Sequence, residues 1–324
     1  MYKLNVLQYP VLKDISIDSS YSLAALSNNE NLKVLLEEYK NRFSFSSLNT
    51  LHFSKESLLG FLLGLDGDIA VSLGESEALI EASKAYKKLG FNLDFIPINK
   101  NGQLDYESIK DKYSYIFVSS YIMDTYVKVD LFEVKKRSKA KIIGNISATL
   151  DCTNIDIAFL DAYKLSGYAS SSVLLHNDLL EKQVLGEIDI ISLQNIIKTQ
   201  AFSYEKENKS MFINALKKEL KDDFFFFVDP FLSLENTLHF GLKNIKAREI
   251  IRALSLYDIF TSNGEGCSLG LMKPSRILQE MLYSENDSRQ ALSFSFTSIF
   301  SKEDIDYICK IISKVYRQIK VLND

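Results

Sequence analysis

Short apolar runs alternate with amphipathic stretches from about residue 54, and the rhythm changes after about residue 180. SKESLLGFLLGL (54–65) predicts a helix with Ser54 as N-cap, because a serine oxygen satisfies a free N–H of the first turn. DIAVS (68–72) is a short buried-strand pattern, and ESEALIEASKAYKKLG after it is amphipathic with a closing glycine. LDFIPI (93–98), YSYIFVSSY (113–121), KIIGNI (141–146), IAFLDA (157–162) and SSVLLH (171–176) predict further strands. YESIKDK and LFEVKKRSK between them read as helices. Apolar strands alternating with helices predict an α/β fold with a mostly parallel sheet covered on both faces.

Beyond residue 180 two helical segments (about 187–220) lead to FFFFVD, NTLHFGL and the helix-like KAREIIRALSLY. A strand-like DIFTS, the glycine-bearing NGEGCSLG, a helix near SRILQEML, a strand ALSFSF and a long final helix follow. This predicts a smaller C-terminal α+β domain in which the FFFF run is a buried strand. The expected organisation is a segment 1–50 without assigned elements, a large domain 51–205, and the small domain 206–324.

Composition narrows the function classes. The 324 residues are enough for two packed units, and 46% hydrophobic with 25% charged residues is a globular balance. A net charge of −4 argues against a nucleic-acid partner. Three cysteines (Cys152, Cys267, Cys309) and three histidines (His52, His176, His239) are too scattered for a disulfide framework or metal-ligand spacing. The N-terminus lacks the pattern of a signal peptide, and no apolar run approaches a membrane span, so a cytoplasmic, reducing location is expected. Cys309 falls on the stripe Ile305, Ile308, Ile312 and reads as core.

Two residues carry candidate chemistry. Lys164 lies just past the strand IAFLDA, where open α/β sheets bind ligands; a lysine in a partly dry pocket there can lose its proton and form a Schiff base. The competing reading is a solvated loop lysine. Cys267 sits between glycines in GEGCSLG, and an accessible thiol there can act as a nucleophile. Its competing reading is a half-buried loop cysteine.

NLDFIPINKNGQLDYESIKDKYSYIFVS, IDIAFLDAYKLSGYASSSVLL, GEGCSLGLMKPSRILQEM and LSFSFTSIFSKEDIDYICKII together resemble the cysteine desulfurases of the class V aminotransferase group, fold-type I pyridoxal-phosphate enzymes. The resemblance runs from about residue 50 to the C-terminus. It implies that Lys164 carries pyridoxal phosphate, that Cys267 takes sulfur from cysteine as a persulfide, and that the chain is a homodimer serving a sulfur-acceptor protein.

The sequence departs from the family at the cofactor. Asn145 stands where an aspartate bonds the ring nitrogen, and Ser76 where a histidine stacks on the ring. Tyr163 replaces the histidine before the lysine, and Asp161 replaces a phosphate-binding serine. The phosphate loop reads Ser54-Lys55-Glu56-Ser57, leaving Ser57 to donate to phosphate. Asp124 and Thr125 correspond to an asparagine pair near the ring hydroxyl, and Ser293 to the arginine that holds the substrate carboxylate. The family's inter-domain arginine-serine-glycine-threonine segment has no counterpart in 177–205. Two readings follow: a divergent desulfurase using pyridoxal phosphate, and a pseudoenzyme that has lost the cofactor and acts as a binding, scaffold or sulfur-acceptor subunit.

Overall fold

The computed structural model describes residues 1–10, 30–177, 188–198, 206–264 and 273–323. Its twelve strands are β1 (Tyr2–Lys3), β2 (Ser47–Leu51), β3 (Ile69–Ser72), β4 (Leu93–Ile96), β5 (Tyr115–Phe117), β6 (Lys141–Asn145), β7 (Ile157–Leu160), β8 (Ser172–His176), β9 (Phe224–Phe225), β10 (Thr237–Leu242), β11 (Ile259–Phe260) and β12 (Ala291–Ser295).

A seven-stranded sheet in the order β2-β8-β7-β6-β5-β3-β4 forms the large unit. β3 to β7 run parallel, while β8 is antiparallel both to β7 and to the edge strand β2. Alternation along each strand divides the side chains between two cores. Ile69, Val71, Phe117, Ile143, Ile157 and Phe159 face one side with Phe61 and Ile80. Ala70, Ile116, Ile142, Ala158 and Leu160 face the other. Burial on both faces is why these strands read as continuous apolar runs. Helices cover the sheet, and several begin at a cap written in the sequence. Ser54 Oγ accepts the Ser57 N–H at the start of Lys55–Leu63, and Ser76 Oγ accepts the Leu79 N–H at the start of Glu77–Lys88.

The second unit is a three-stranded antiparallel sheet, β12-β10-β9, packed on the helices Lys206–Leu220, Ala247–Ser255 and Lys302–Asn323. Its core is aromatic: Phe212 and Phe240 both meet Phe294 edge-on, with ring centroids 5.4 and 5.1 Å apart. Ile305, Ile308, Cys309 and Ile312 are buried in it, and burial raises the Cys309 thiol pKa. Of the FFFF run, only Phe224 and Phe225 pair with β10. YESIKDK, expected as a helix, closes only the 3₁₀ turn Tyr106–Ser108; the Ser108 hydroxyl folds back on the Asp105 carbonyl at 2.8 Å.

The N-terminal segment, to which no element was assigned, contributes to both units. β2 is the edge strand of the large sheet. β1 pairs in parallel with β11, and Leu4 then bonds to both neighbours, its N–H to the Phe260 carbonyl and its carbonyl to the Ser295 N–H. No helix among the described residues is long and apolar enough to cross a membrane.

Leu4 is fully buried among the aromatic side chains of the second unit. Leu4→Ala is expected to lower stability by about 2–5 kcal/mol, read by urea unfolding. A loss below about 0.5 kcal/mol would show that this segment does not belong to the core.

Candidate active site

The parallel strands end on one edge of the sheet, and the polar residues that follow those ends meet there. Glu75 follows β3, Ser119 follows β5, Asn145 closes β6, and Asp161 follows β7. A continuous hydrogen-bond chain joins them. The Glu75 carboxylate accepts the Ser119 N–H, and the Ser119 hydroxyl accepts the Asn145 N–H at 3.1 Å. Asn145 Oδ1 accepts two bonds from Ser147, from its N–H at 2.9 Å and from its hydroxyl at 2.6 Å. Ser147 Oγ in turn accepts the Asp161 N–H at 2.6 Å.

Lys164 belongs to the short helix Ala162–Ser166, which Asp161 caps and which Gly167 ends in the left-handed region at φ 82°. It is not a solvated loop lysine. Its ammonium donates to the Tyr121 hydroxyl at 3.2 Å and lies 3.9 Å from Met123 Sδ. Burial pulls its pKa down to about 8, against the opposing pull of Asp161, Glu75 and Asp124. Burial raises the carboxyls of Glu75 and Asp161 in turn, with Lys164 drawing both back down. The Tyr121 hydroxyl is held neutral, far above its ordinary value, by the same burial.

The remaining candidates are placed as follows. Ser57 is half-buried near the start of the helix Lys55–Leu63, its N–H donated to Ser54 Oγ at 3.3 Å. Ser76, next to Glu75, is half-buried and serves as a helix cap. Asp124 is fully buried at φ 62° and accepts the Ser275 hydroxyl at 2.6 Å. Gly264 packs against the same carboxylate, at φ 139°, where a Cβ would come within 2.6 Å of the acid; only glycine fits. Cys267 lies outside the described residues. Ser293, on β12, is buried with its hydroxyl 2.6 Å from His239 Nδ1. The sequence reading overlooked Glu75, Ser119, Ser147 and His239. Glu75 and the two serines carried the signal that singled out Lys164, a polar residue just past an apolar strand; His239 meets Ser293 only across β10 and β12. No group of three or more His, Cys, Asp or Glu among the described residues is placed to hold a metal.

No model of a known protein family matches the chain. Among curated proteins it is 20% identical over 302 residues to the cysteine desulfurase IscS of Dictyoglomus turgidum, covering 82% of this chain and 76% of that one. A cysteine desulfurase of a Nostoc species is 19% identical over 289 residues, covering 77% and 71%. The chain is a divergent relative of the cysteine desulfurases. Solved desulfurase-like structures share its fold. The NifS-like protein of Rickettsia africae superposes with a TM-score of 0.72 at 15% identity, over 98% of this chain and 99% of that one. The cysteine desulfurase CsdA of Escherichia coli gives 0.70 at 15% identity, over 98% and 94%.

Cysteine desulfurases are pyridoxal-phosphate enzymes, so the residues here can be tested against that group. A protonated pyridine nitrogen needs an acceptor, as an aspartate supplies. The Ser147 backbone N–H must face an oxygen, which fixes the Asn145 amide with Oδ1 doubly engaged. What remains is Nδ2, a buried donor without a partner among the described residues. The Asp161 carboxylate, which the resemblance aligns with a phosphate-binding serine, already takes the backbone N–H groups of Tyr163 and Lys164, doing an anion's work at that helix start. Unit charges 4 Å apart near a protein surface repel by about 4 kcal/mol. A donor there could bond only an unprotonated ring, which draws electrons weakly, and an acid opposes the phosphate, so these residues do not fit the cofactor in the protonated form that desulfuration needs.

A lysine whose folded pKa lies below its unfolded value weakens the fold while it must stay charged. That burden is fully present below about pH 8 and lifts as pH rises toward about 10.4. The stability of the native chain relative to Lys164→Met is therefore expected to rise between pH 7.5 and 9.5 in urea unfolding. A flat difference would mean that the Lys164 pKa is not depressed.

Proposed function

We propose that this chain is a cysteine-desulfurase-like protein that no longer holds pyridoxal phosphate and works as a binding or sulfur-accepting subunit. The observation that carries this reading is the Asn145 amide, whose oxygen is taken by Ser147 so that only N–H is offered where its relatives need an acceptor. Losing a charge-assisted hydrogen bond at a buried site costs about 1.5–3 kcal/mol, and a donor in its place disfavours the protonated ring. Asp161 supports the same conclusion at the phosphate end. So does Ser293, whose hydroxyl is engaged with His239 where a guanidinium would hold a substrate carboxylate. The sulfur-accepting role belongs to Cys267 by its position in the sequence, and the homodimer implied by the family is part of the same proposal.

One observation favours a second reading, in which the chain still removes sulfur from cysteine. Lys164 is half-buried with a pKa drawn down to about 8, so its uncharged, nucleophilic form is reached at a lower pH than for an ordinary lysine.

Incubation with excess pyridoxal phosphate, followed by borohydride reduction and intact-mass measurement, separates the two. The proposal expects a colourless protein, no reduced adduct on Lys164 beyond that of a surface lysine, and no sulfide released from L-cysteine. A yellow protein whose adduct and sulfide release both vanish in Lys164→Ala would establish the catalytic reading instead.

A further inference from the structure

Lys209, on the helix Lys206–Leu220 of the second unit, is only 2% exposed. Its ammonium donates to the Ser233 carbonyl at 3.2 Å, the Ser233 hydroxyl at 2.9 Å and the Leu234 carbonyl at 3.1 Å. Three oxygens meet three N–H groups, which is all that an ammonium has to give. Glu235 and Asp229 favour its charge, and Lys128 opposes it. A buried charge is tolerated only where its bonds are made, and these bonds fix where residues 233 and 234 lie.

Those two residues belong to a bridge onto the large unit. The Lys128 N–H donates to the Leu232 carbonyl and the Leu234 N–H to the Tyr126 carbonyl, both at 2.9 Å, and Val127 pairs antiparallel with Ser233. Lys128 and Glu235 add an ion pair at 2.8 Å. Residues 126–128 are the outer arm of a hairpin, in which the Ile122 N–H donates to the Val127 carbonyl at 2.8 Å and Tyr121 pairs with Lys128. The inner arm carries Tyr121 and Met123, two groups that meet the Lys164 ammonium. Tyr126 stacks on Tyr121, their ring centroids 6.3 Å apart. At the tip Asp124 and Tyr126 stand at φ 62° and 60°, a left-handed backbone that non-glycine residues hold where their surroundings over-determine it. Along the outer arm the second unit supplies those surroundings.

We infer that Lys209 is a positioning residue: through the segment 232–235 it holds the hairpin 121–128 against Lys164, so that the second unit sets how closely this amine is enclosed. Competitive labelling of the full chain with acetic anhydride between pH 6 and 10, read by peptide mass spectrometry, gives the midpoint at which Lys164 becomes reactive. The native midpoint is expected near 8, set by burial with Asp161, Glu75 and Asp124 opposing. Lys209→Met fills the buried space without the three donors and releases the hairpin. It is expected to raise the Lys164 midpoint by about one pH unit, roughly a tenfold fall in the uncharged fraction at pH 7. Ile250→Val removes one methylene from the core of the same unit and is expected to leave the midpoint in place. Where Lys209→Met does not fold, Ser233→Ala, which removes one of the three acceptors, takes its place and is expected to shift the midpoint the same way by about half a unit. An unchanged midpoint in the folded clamp variant, or an equal shift in Ile250→Val, would overturn the inference.

Discussion

Two donors from Ser147 decide which way the Asn145 amide faces, and the chemistry open to the site depends on that orientation. A backbone N–H cannot be rotated away from its acceptor, so the amide oxygen is committed and the nitrogen is what the protein leaves available. The clamp is rigid because both residues sit at the end of a buried parallel strand. It is linked on one side through Ser119 to Glu75 and on the other to Asp161. Changing one member therefore disturbs the positions of acids that follow two other strands.

The electrostatics follow from the same enclosure. Burial disfavours every charge in the cluster, pulling Lys164 down while raising Glu75 and Asp161, and the attraction among them offsets part of that cost. Lys164 is half-buried, bonded to the Tyr121 hydroxyl, and feels the charges of those acids. In the relatives this chain resembles, a bound phosphate and a substrate carboxylate supply anions to such a pocket. Here Asp161 is an acid of the chain itself, and Ser293, which the resemblance aligns with the carboxylate-binding arginine, meets an uncharged imidazole.

Much of the fold was legible because of how parallel strands are buried. Sides covered on both faces write uninterrupted apolar runs, and IAFL, IAVS and KIIGN each appear where they were expected. Helix starts were legible at Ser54, where a serine oxygen caps the first turn. Long-range pairings left no such trace. Two residues of β1 find β11 more than 250 positions away, and nothing local in MYKL announces it. YESIKDK carries helical composition, but the Ser108 hydroxyl competes for a backbone carbonyl and limits it to a turn. At the site, Lys164, Asn145 and Asp161 could be picked out by their positions after strands and by resemblance. The direction of the Asn145 amide and the pairing of Ser293 with His239 depend on Ser147 and β10, and only the folded chain brings these together.

In the proposed function two side chains, the Asn145 amide held donor-outward and the acid Asp161, keep pyridoxal phosphate out. The most direct measurement is a spectrophotometric titration of the cofactor into the native chain and into the double variant Asn145→Asp/Asp161→Ser. A yellow, saturable complex is expected in the double variant and none in the native protein. Tight, saturable binding by the native chain, with no gain in the double variant, would contradict it.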